Sequence, residues 1–282
     1  MRYRLGQLMI MLWVCACSTT PVQAADQPLP AISIIIDDMG NNLAWGKGVL
    51  AVPGALTYAF LPHTPHAANL AAQAHDQGKE VMLHLPMQSH NNNKLGPGGL
   101  TLHLTEGEFK RTLQSSLDAV PYVVGLNNHM GSLLTRHPGA MGWLMESIGE
   151  RGDLYFVDSR TTVKSVGYET AREYGIPSAT RDVFLDNVRD QEAITKQFIQ
   201  LIDRARRKGY AIGIGHPYPE TAQALQSLLV DPEKWGVRLI PASEMIAIQG
   251  RNKTWPQPSS PSLKVARNSK LSLSLTCCEE QE

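Results

Sequence analysis

Short apolar runs separated by amphipathic stretches recur from residue 31 to about residue 248. The runs at 31–36 (AISIII), 55–61 (ALTYAFL), 80–86 (EVMLHLP), 122–126 (YVVGL), 154–157 (LYFV), 181–185 (RDVFL), 210–214 (YAIGI) and 237–240 (VRLI) have the length and the β-branched or aromatic content of strands. Between them, helical spacing predicts helices over 66–77, 106–119, 138–150, 165–174, 190–208 and 219–229. Local chemistry supports these boundaries. Thr105 with Glu108 forms a capping-box pattern, Pro138 suits a first helical turn, and Gly78, Gly152, Gly175 and Gly209 stand where helices should stop. Several strands are continuously apolar rather than alternating, as parallel strands covered by helices require. The expected class is α/β with seven or eight βα units. Periodicity alone does not separate a barrel from an open, doubly wound sheet.

The ends differ from this body. Arg2 and Arg4 precede an apolar stretch from Leu8 to about Cys17, followed by Val22-Gln23-Ala24. That order reads as a signal peptide over 1–24 with cleavage before Ala25, hence export to the periplasm or envelope with no membrane span retained. An uncleaved anchor, or a lipoprotein through Cys15 or Cys17, is the alternative. A short linker over 25–30, a domain over 31–249 and a Ser-, Pro- and Lys-containing tail over 250–282, expected to be disordered, complete the organisation. The cysteines are Cys15, Cys17, Cys277 and Cys278, so the expected domain holds none and any metal site in it must use His, Asp, Glu or Asn. Lys plus Arg and Asp plus Glu are both 26, which gives no field favouring nucleic acid or an anionic membrane.

In a parallel barrel the C-terminal strand ends surround one mouth, so polar residues there are the candidates for chemistry. They are Asp37 and Asp38 after the first run, His84 within the third, Asn127, Asn128 and His129 after the fourth, Asp158 and Ser159 after the fifth, and His216 after the seventh. Strand neighbours point to opposite faces, so both aspartates serve one site only if the chain turns at Met39-Gly40. An N-cap beside a solvated neighbour is the plain alternative for that pair. A buried His84 needs a partner, and a hydrogen-bonded core role explains a single such histidine equally well. Taken together, one Asp and two His would make a two-histidine, one-carboxylate site for a divalent metal, with positions open for water and substrate. Another Asp would then take a proton and a further His give one to a leaving amine, and Asp37 and His216 are free for those roles.

The motifs IIIDDMG, VMLHLPMQ, GLNNHMGS, FVDSRT, RDVFLDN and IGHP, in this order, resemble the divergent polysaccharide deacetylases, relatives of the NodB-type carbohydrate esterases. The resemblance spans residues 31 to 248. It implies a distorted (β/α) barrel of about seven strands, a divalent metal, usually zinc, and a hydrolase-like cleft, with Asp37 as base, Asp38 and His84 as metal ligands and His216 as acid. Two positions depart from the wider pattern: Gln88 stands where a second ligand histidine is usual, and the arginine motif that tunes the base is not recognisable. By chemistry and position His129 is the replacement ligand. Asn128, Asp158 and Asp186 are the expected substrate-side residues, although hydrogen bonds behind the site explain Asp158, Arg160 and Asp186 as well. The expected function is removal of acyl groups, N-acetyl first, from an envelope glycan such as peptidoglycan by attack of metal-bound water. A catalytically inactive relative that binds a glycan or an envelope partner is the alternative.

Overall fold

The computed structural model describes residues 29–91 and 93–252. The expected leader over 1–24, residues 25–28 of the linker and residues 253–282 of the expected tail lie outside the described residues. The described residues form nine strands: β1 (Ala31–Met39), β2 (Thr57–Phe60), β3 (Glu80–Met87), β4 (Val123–Met130), β5 (Tyr155–Asp158), β6 (Ser178–Thr180), β7 (Val183–Phe184), β8 (Tyr210–Gly215) and β9 (Arg238–Leu239). The helices are α1 (Leu43–Leu50), α2 (Ala67–Asp76), α3 (Glu106–Asp118), α4 (Pro138–Arg151), α5 (Gly167–Glu173), α6 (Gln191–Lys208), α7 (Pro219–Leu228) and α8 (Ala242–Asn252). α8 therefore runs three residues into the segment expected as tail. The Thr105/Glu108 capping box forms, and Gly209 ends α6 in the left-handed conformation that a side chain would disfavour.

Strand order is β6-β5-β4-β3-β2-β1-β8-β7, with β9 beside the start of β1, and every ladder is parallel. The expected strand over 181–185 is divided. The amide of Arg181 donates to the Asp158 carbonyl on β5 at 3.0 Å, whereas the next amide, of Asp182, donates to Ile212 on β8 at 2.9 Å. The chain thus steps from one edge of the sheet to the other within two residues. The result is an incomplete barrel whose seam is crossed by that step, and of the strands described only β6 lies outside the eight runs expected from the sequence.

Alternation along β1 explains the two apolar layers. Ile32, Ile34 and Ile36 face the helices, in a cluster with Leu70, Leu113, Leu144 and Phe198. Ala31 and Ile35 face the barrel interior with Met82, Val157, Ile212 and Ile214. Met245 and Ile246 of α8 join this inner cluster, so the helix covers one end of the barrel. Its first amides are held from a distance: Ala242 donates to Thr57 Oγ1 at 3.0 Å and Ser243 to Glu80 Oε1 at 3.2 Å. The same Glu80 oxygen accepts from Thr57 Oγ1 at 2.9 Å and from Tyr155 Oη at 2.8 Å. Strands run away from this capped end, so their C-terminal residues gather at the other.

Candidate metal centre

The two aspartates of β1 are brought to one place by a local break in the strand. Pairing with β2 shifts register between Ile36 and Met39, and Asp38 takes φ +56°, a left-handed value that costs a non-glycine residue on the order of 1 kcal/mol. The break rotates Asp38 out of strict alternation, so it joins the inward-facing Asp37 at the mouth. Burial raises the Asp37 pKa, partly offset by the charges of His84 and His216 and by a hydrogen bond from Asn127. Burial also opposes the charge of Asp38, but the His129 and His84 rings beside it hold that carboxyl well below the usual range.

Strands β3 and β4 supply the rest of the cluster in matched register, with His84 opposite Asn127 and Pro86 opposite His129. Asn127 and His129 are two residues apart and share a face. Asn127 Nδ2 donates to Asp37 Oδ1 at 2.7 Å, and its Oδ1 lies 2.7 Å from His84 Nδ1. A carboxylate only accepts, so the amide nitrogen faces Asp37 and the amide oxygen is left to accept from His84 Nδ1–H. This fixes the tautomer of neutral His84, with the lone pair on Nε2. That Nε2 lies 3.1 Å from Asp38 Oδ1 and 3.1 Å from His129 Nδ1, and His129 Nδ1 is 2.8 Å from the same Asp38 oxygen.

Three atoms able to act as metal ligands, from β1, β3 and β4, therefore converge. Asp38 Oδ1 is buried without a well-formed hydrogen bond despite these two near neighbours. Such crowding around a carboxylate oxygen favours positive charge at its centre. Burial opposes charge on His84, but Asp37 and Asp38 together raise its pKa. A carboxylate and two imidazoles are the donor set of a divalent-metal site with open positions, so these residues fit the expected ion.

His216 follows β8 and faces the cluster from the other side of β1. Its Nδ1 lies 2.9 Å from Asp186 Oδ1, and its Nε2 is 3.9 Å from Asp38 Oδ2. Burial works against charge on this ring, but the hydrogen bond and charge of Asp186 raise its pKa to about 9. Asp186 Oδ2 also accepts from the His216 amide and from Thr221 Oγ1, so the carboxylate holds both ring and backbone.

The three expected substrate-side residues are all engaged in hydrogen bonds within the protein. Asn128 points opposite to Asn127 and is spent on structure, donating to the Met130 carbonyl at 2.7 Å and accepting from the Ser159 amide at 2.9 Å. Asp158 is buried and organises the following loop, accepting from the Arg160 amide, Ser165 Oγ and the Tyr168 amide. Asp186 is buried behind His216 rather than open to a ligand. Gln88 points elsewhere too, with its Oε1 accepting from the Leu102 amide at 2.9 Å.

Two residues take parts in the site that the sequence did not assign to them. Asn127, already a candidate at the end of the fourth run, couples the expected base to a ligand. Arg181, at the barrel seam, donates to the carbonyls of Ser159 and Arg160 and interacts electrostatically with Asp37 and Asp158. A cavity of about 910 Å³ between α8 and the starts of β5 and β6 contains none of these residues.

The fold is a parallel α/β barrel open at one seam, with this cluster at its strand ends. The chain belongs to the divergent polysaccharide deacetylase family, whose model matches residues 34–246. It is 38% identical over 217 residues to Uncharacterized protein YibQ of Escherichia coli strain K12, covering 76% of this chain and 67% of that one. It is 35% identical over 224 residues to an uncharacterized protein of Haemophilus influenzae Rd, covering 79% and 76%. The crystal structure of an uncharacterized protein from Agrobacterium tumefaciens C58 superposes with TM-score 0.74 at 20% identity, covering 78% of this chain and 91% of that one, a likeness of fold.

Proposed function

We propose that the protein is an exported, metal-dependent hydrolase that removes acyl groups, N-acetyl first, from an envelope glycan such as peptidoglycan. The observation that carries this reading is the convergence of Asp38 Oδ1, His84 Nε2 and His129 Nδ1 within 3.1 Å of one another, flanked by Asp37 and His216. These three atoms would hold a divalent ion, zinc first, which supplies polarisation of the substrate carbonyl and a lowered pKa for bound water. Asp37 accepts the proton of the attacking water, and its burial-raised pKa makes it a better base than an exposed carboxylate. Asn127 holds Asp37 and His84 in fixed relation. His216, with Nδ1 committed to Asp186, presents Nε2 to the mouth and gives a proton to the departing amine. Water and amide thus become acetate and a free amino sugar.

The departures that favour a binding-only protein lose weight in this arrangement. Gln88 is occupied by the Leu102 amide while His129 stands among the ligand atoms, and Arg181 supplies a cation near Asp37. The test is metal content of the purified chain beside His84→Ala and His129→Ala, followed by acetate release from N-acetylated glycans. About one divalent ion per chain, lost in both folded variants, is expected. A chain that takes up no zinc, cobalt, manganese or nickel would overturn the hydrolase.

A further inference from the structure

The rim beside His216 carries an aromatic and cationic cluster that the hydrolytic machinery does not use. Tyr218 stacks on His216 with ring centroids 5.4 Å apart and 26° between planes. The Arg189 guanidinium lies 4.1 Å from the Tyr218 centroid and 5.5 Å from that of Trp45, and the two aromatic rings meet edge to face at 6.0 Å. The three residues come from different segments: Trp45 from α1, Arg189 from the loop before α6, and Tyr218 from the residue before α7. Such convergence at strand ends is how barrels build substrate sites from separate loops.

Trp45 and Arg189 are exposed, and so are their neighbours Leu43 and Val188. Arg189 Nη2 is held by Glu220 at 3.3 Å. Its Nε and Nη1 have no hydrogen-bond or ion-pair partner among the described residues. A guanidinium fixed at one nitrogen and stacked on a ring keeps its remaining donors aimed outward, which suits a planar carboxylate. The exposed indole offers an apolar face of the kind that packs against the C–H face of a pyranose ring.

We propose that Trp45, Tyr218 and Arg189 form a sugar subsite for a residue bearing a carboxylate, adjoining the position where His216 acts. The proposal rests on the glycan-hydrolase reading and deepens it, since it assigns an acidic sugar to the position next to the one deacylated. Trp45 provides stacking, whatever the charge of the sugar. Arg189 provides the discrimination between acidic and neutral chains.

Two probes separate these roles: chitotetraose, and a tetrasaccharide of alternating N-acetylglucosamine and N-acetylmuramic acid stripped of peptide. They share the N-acetyl groups and differ by lactyl carboxylates. Titration calorimetry on the purified full chain with zinc should give a Kd about tenfold lower for the carboxylated chain, as one charge-assisted pair predicts. Arg189→Gln should bring the two Kd values together, Arg189→Glu should favour the neutral chain, and Trp45→Ala should weaken both. Circular dichroism checks that each variant folds.

Equal wild-type affinities, no binding of either chain, or a preference untouched in Arg189→Gln would overturn the subsite. Acetate release distinguishes this failure from failure of the hydrolase. A carboxylate preference without deacetylation of either probe sinks the hydrolase and leaves the subsite standing. Deacetylation of both probes with the same KM sinks the subsite and leaves the hydrolase standing.

Discussion

At the scale of single residues, the cluster is ordered by side chains whose work is done behind the metal ligands. Asn127 donates to Asp37 and accepts from His84, so Asn127→Ala leaves two buried polar groups without their partner. The expected cost is about 1–3 kcal/mol of stability with metal affinity lowered about 10–100-fold. Denaturant unfolding and competitive metal titration read the two effects, and unchanged metal affinity would remove Asn127 from this role. Asp186→Asn tests the other flank by acidity. With Asp186 in place the His216 pKa is raised to about 9, so the ring stays charged across neutral pH. Losing that carboxylate should return the pKa toward 6.5, and in the metal-free protein the NMR titration of His216 should move down accordingly. The sign of the linkage follows: the wild-type pair stabilises the fold fully below about pH 6.5 and loses that contribution as pH rises through about 9. The site residues were unevenly legible. The aspartate pair stands out after an isoleucine run, and histidines inside or at the end of apolar strands attract notice. Asn127 and Asn128 both stand out at that strand end, and alternation from His129 is what separates them, since Asn127 shares its face. Arg181 had no local signal, since its importance lies in proximity to Asp37 across the fold.

At the scale of elements, the six helices expected from periodicity are present, whereas α1 and α8 were not anticipated. α1 is eight residues long and includes Gly46 and Gly48, which weakens its helical pattern. Its side-chain cap comes from Asn42, which accepts from the Trp45 amide, and Gly46 permits close approach to Leu70. α8 depends on distant strand residues for its first amides, a dependence that no local window contains. Glu80→Ala therefore should strip the Thr57 hydroxyl, the Tyr155 hydroxyl and the Ser243 amide of a shared acceptor. We expect a loss of about 1–3 kcal/mol, with hydrogen exchange accelerating first in α8. Protection in α8 equal to wild type would show that its apolar face, through Met245 and Ile246, anchors it without Glu80. Gly125 makes a complementary case on β4. A Cβ there would run into the Tyr155 ring, so Gly125→Ala must displace that ring from Glu80 or push β4 from β5. A destabilisation of about 1–3 kcal/mol is expected for such overpacking and is measurable by the same unfolding curves.

At the scale of the whole molecule, the barrel has a capped end and a chemical end, and the two depend on different interactions. α8 and the Glu80 network hold the first, whereas at the second the strand ends of β1, β3 and β4 bring one carboxylate and two imidazoles against one another. The parallel order was expected from continuously apolar strands, but the seam was not: a five-residue run gives no sign that one amide bonds to β5 and the next to β8. The proposed ion would tie together three elements that are far apart in sequence but adjacent around the mouth. Binding only to the folded state, it should raise stability by about 4 kcal/mol when free metal exceeds Kd a thousandfold. Because protons compete for His84, whose pKa is raised, the gain should shrink as pH falls through that value. The location of the effect matters as much as its size. Chelation should accelerate hydrogen exchange at residues 127–136, where β4 leads into the mouth, while leaving α8 and the Glu80 network protected. Uniform loosening of both ends on chelation would instead mean that the ion supports the entire barrel, and no change at either end would mean that the three donor atoms do not hold it.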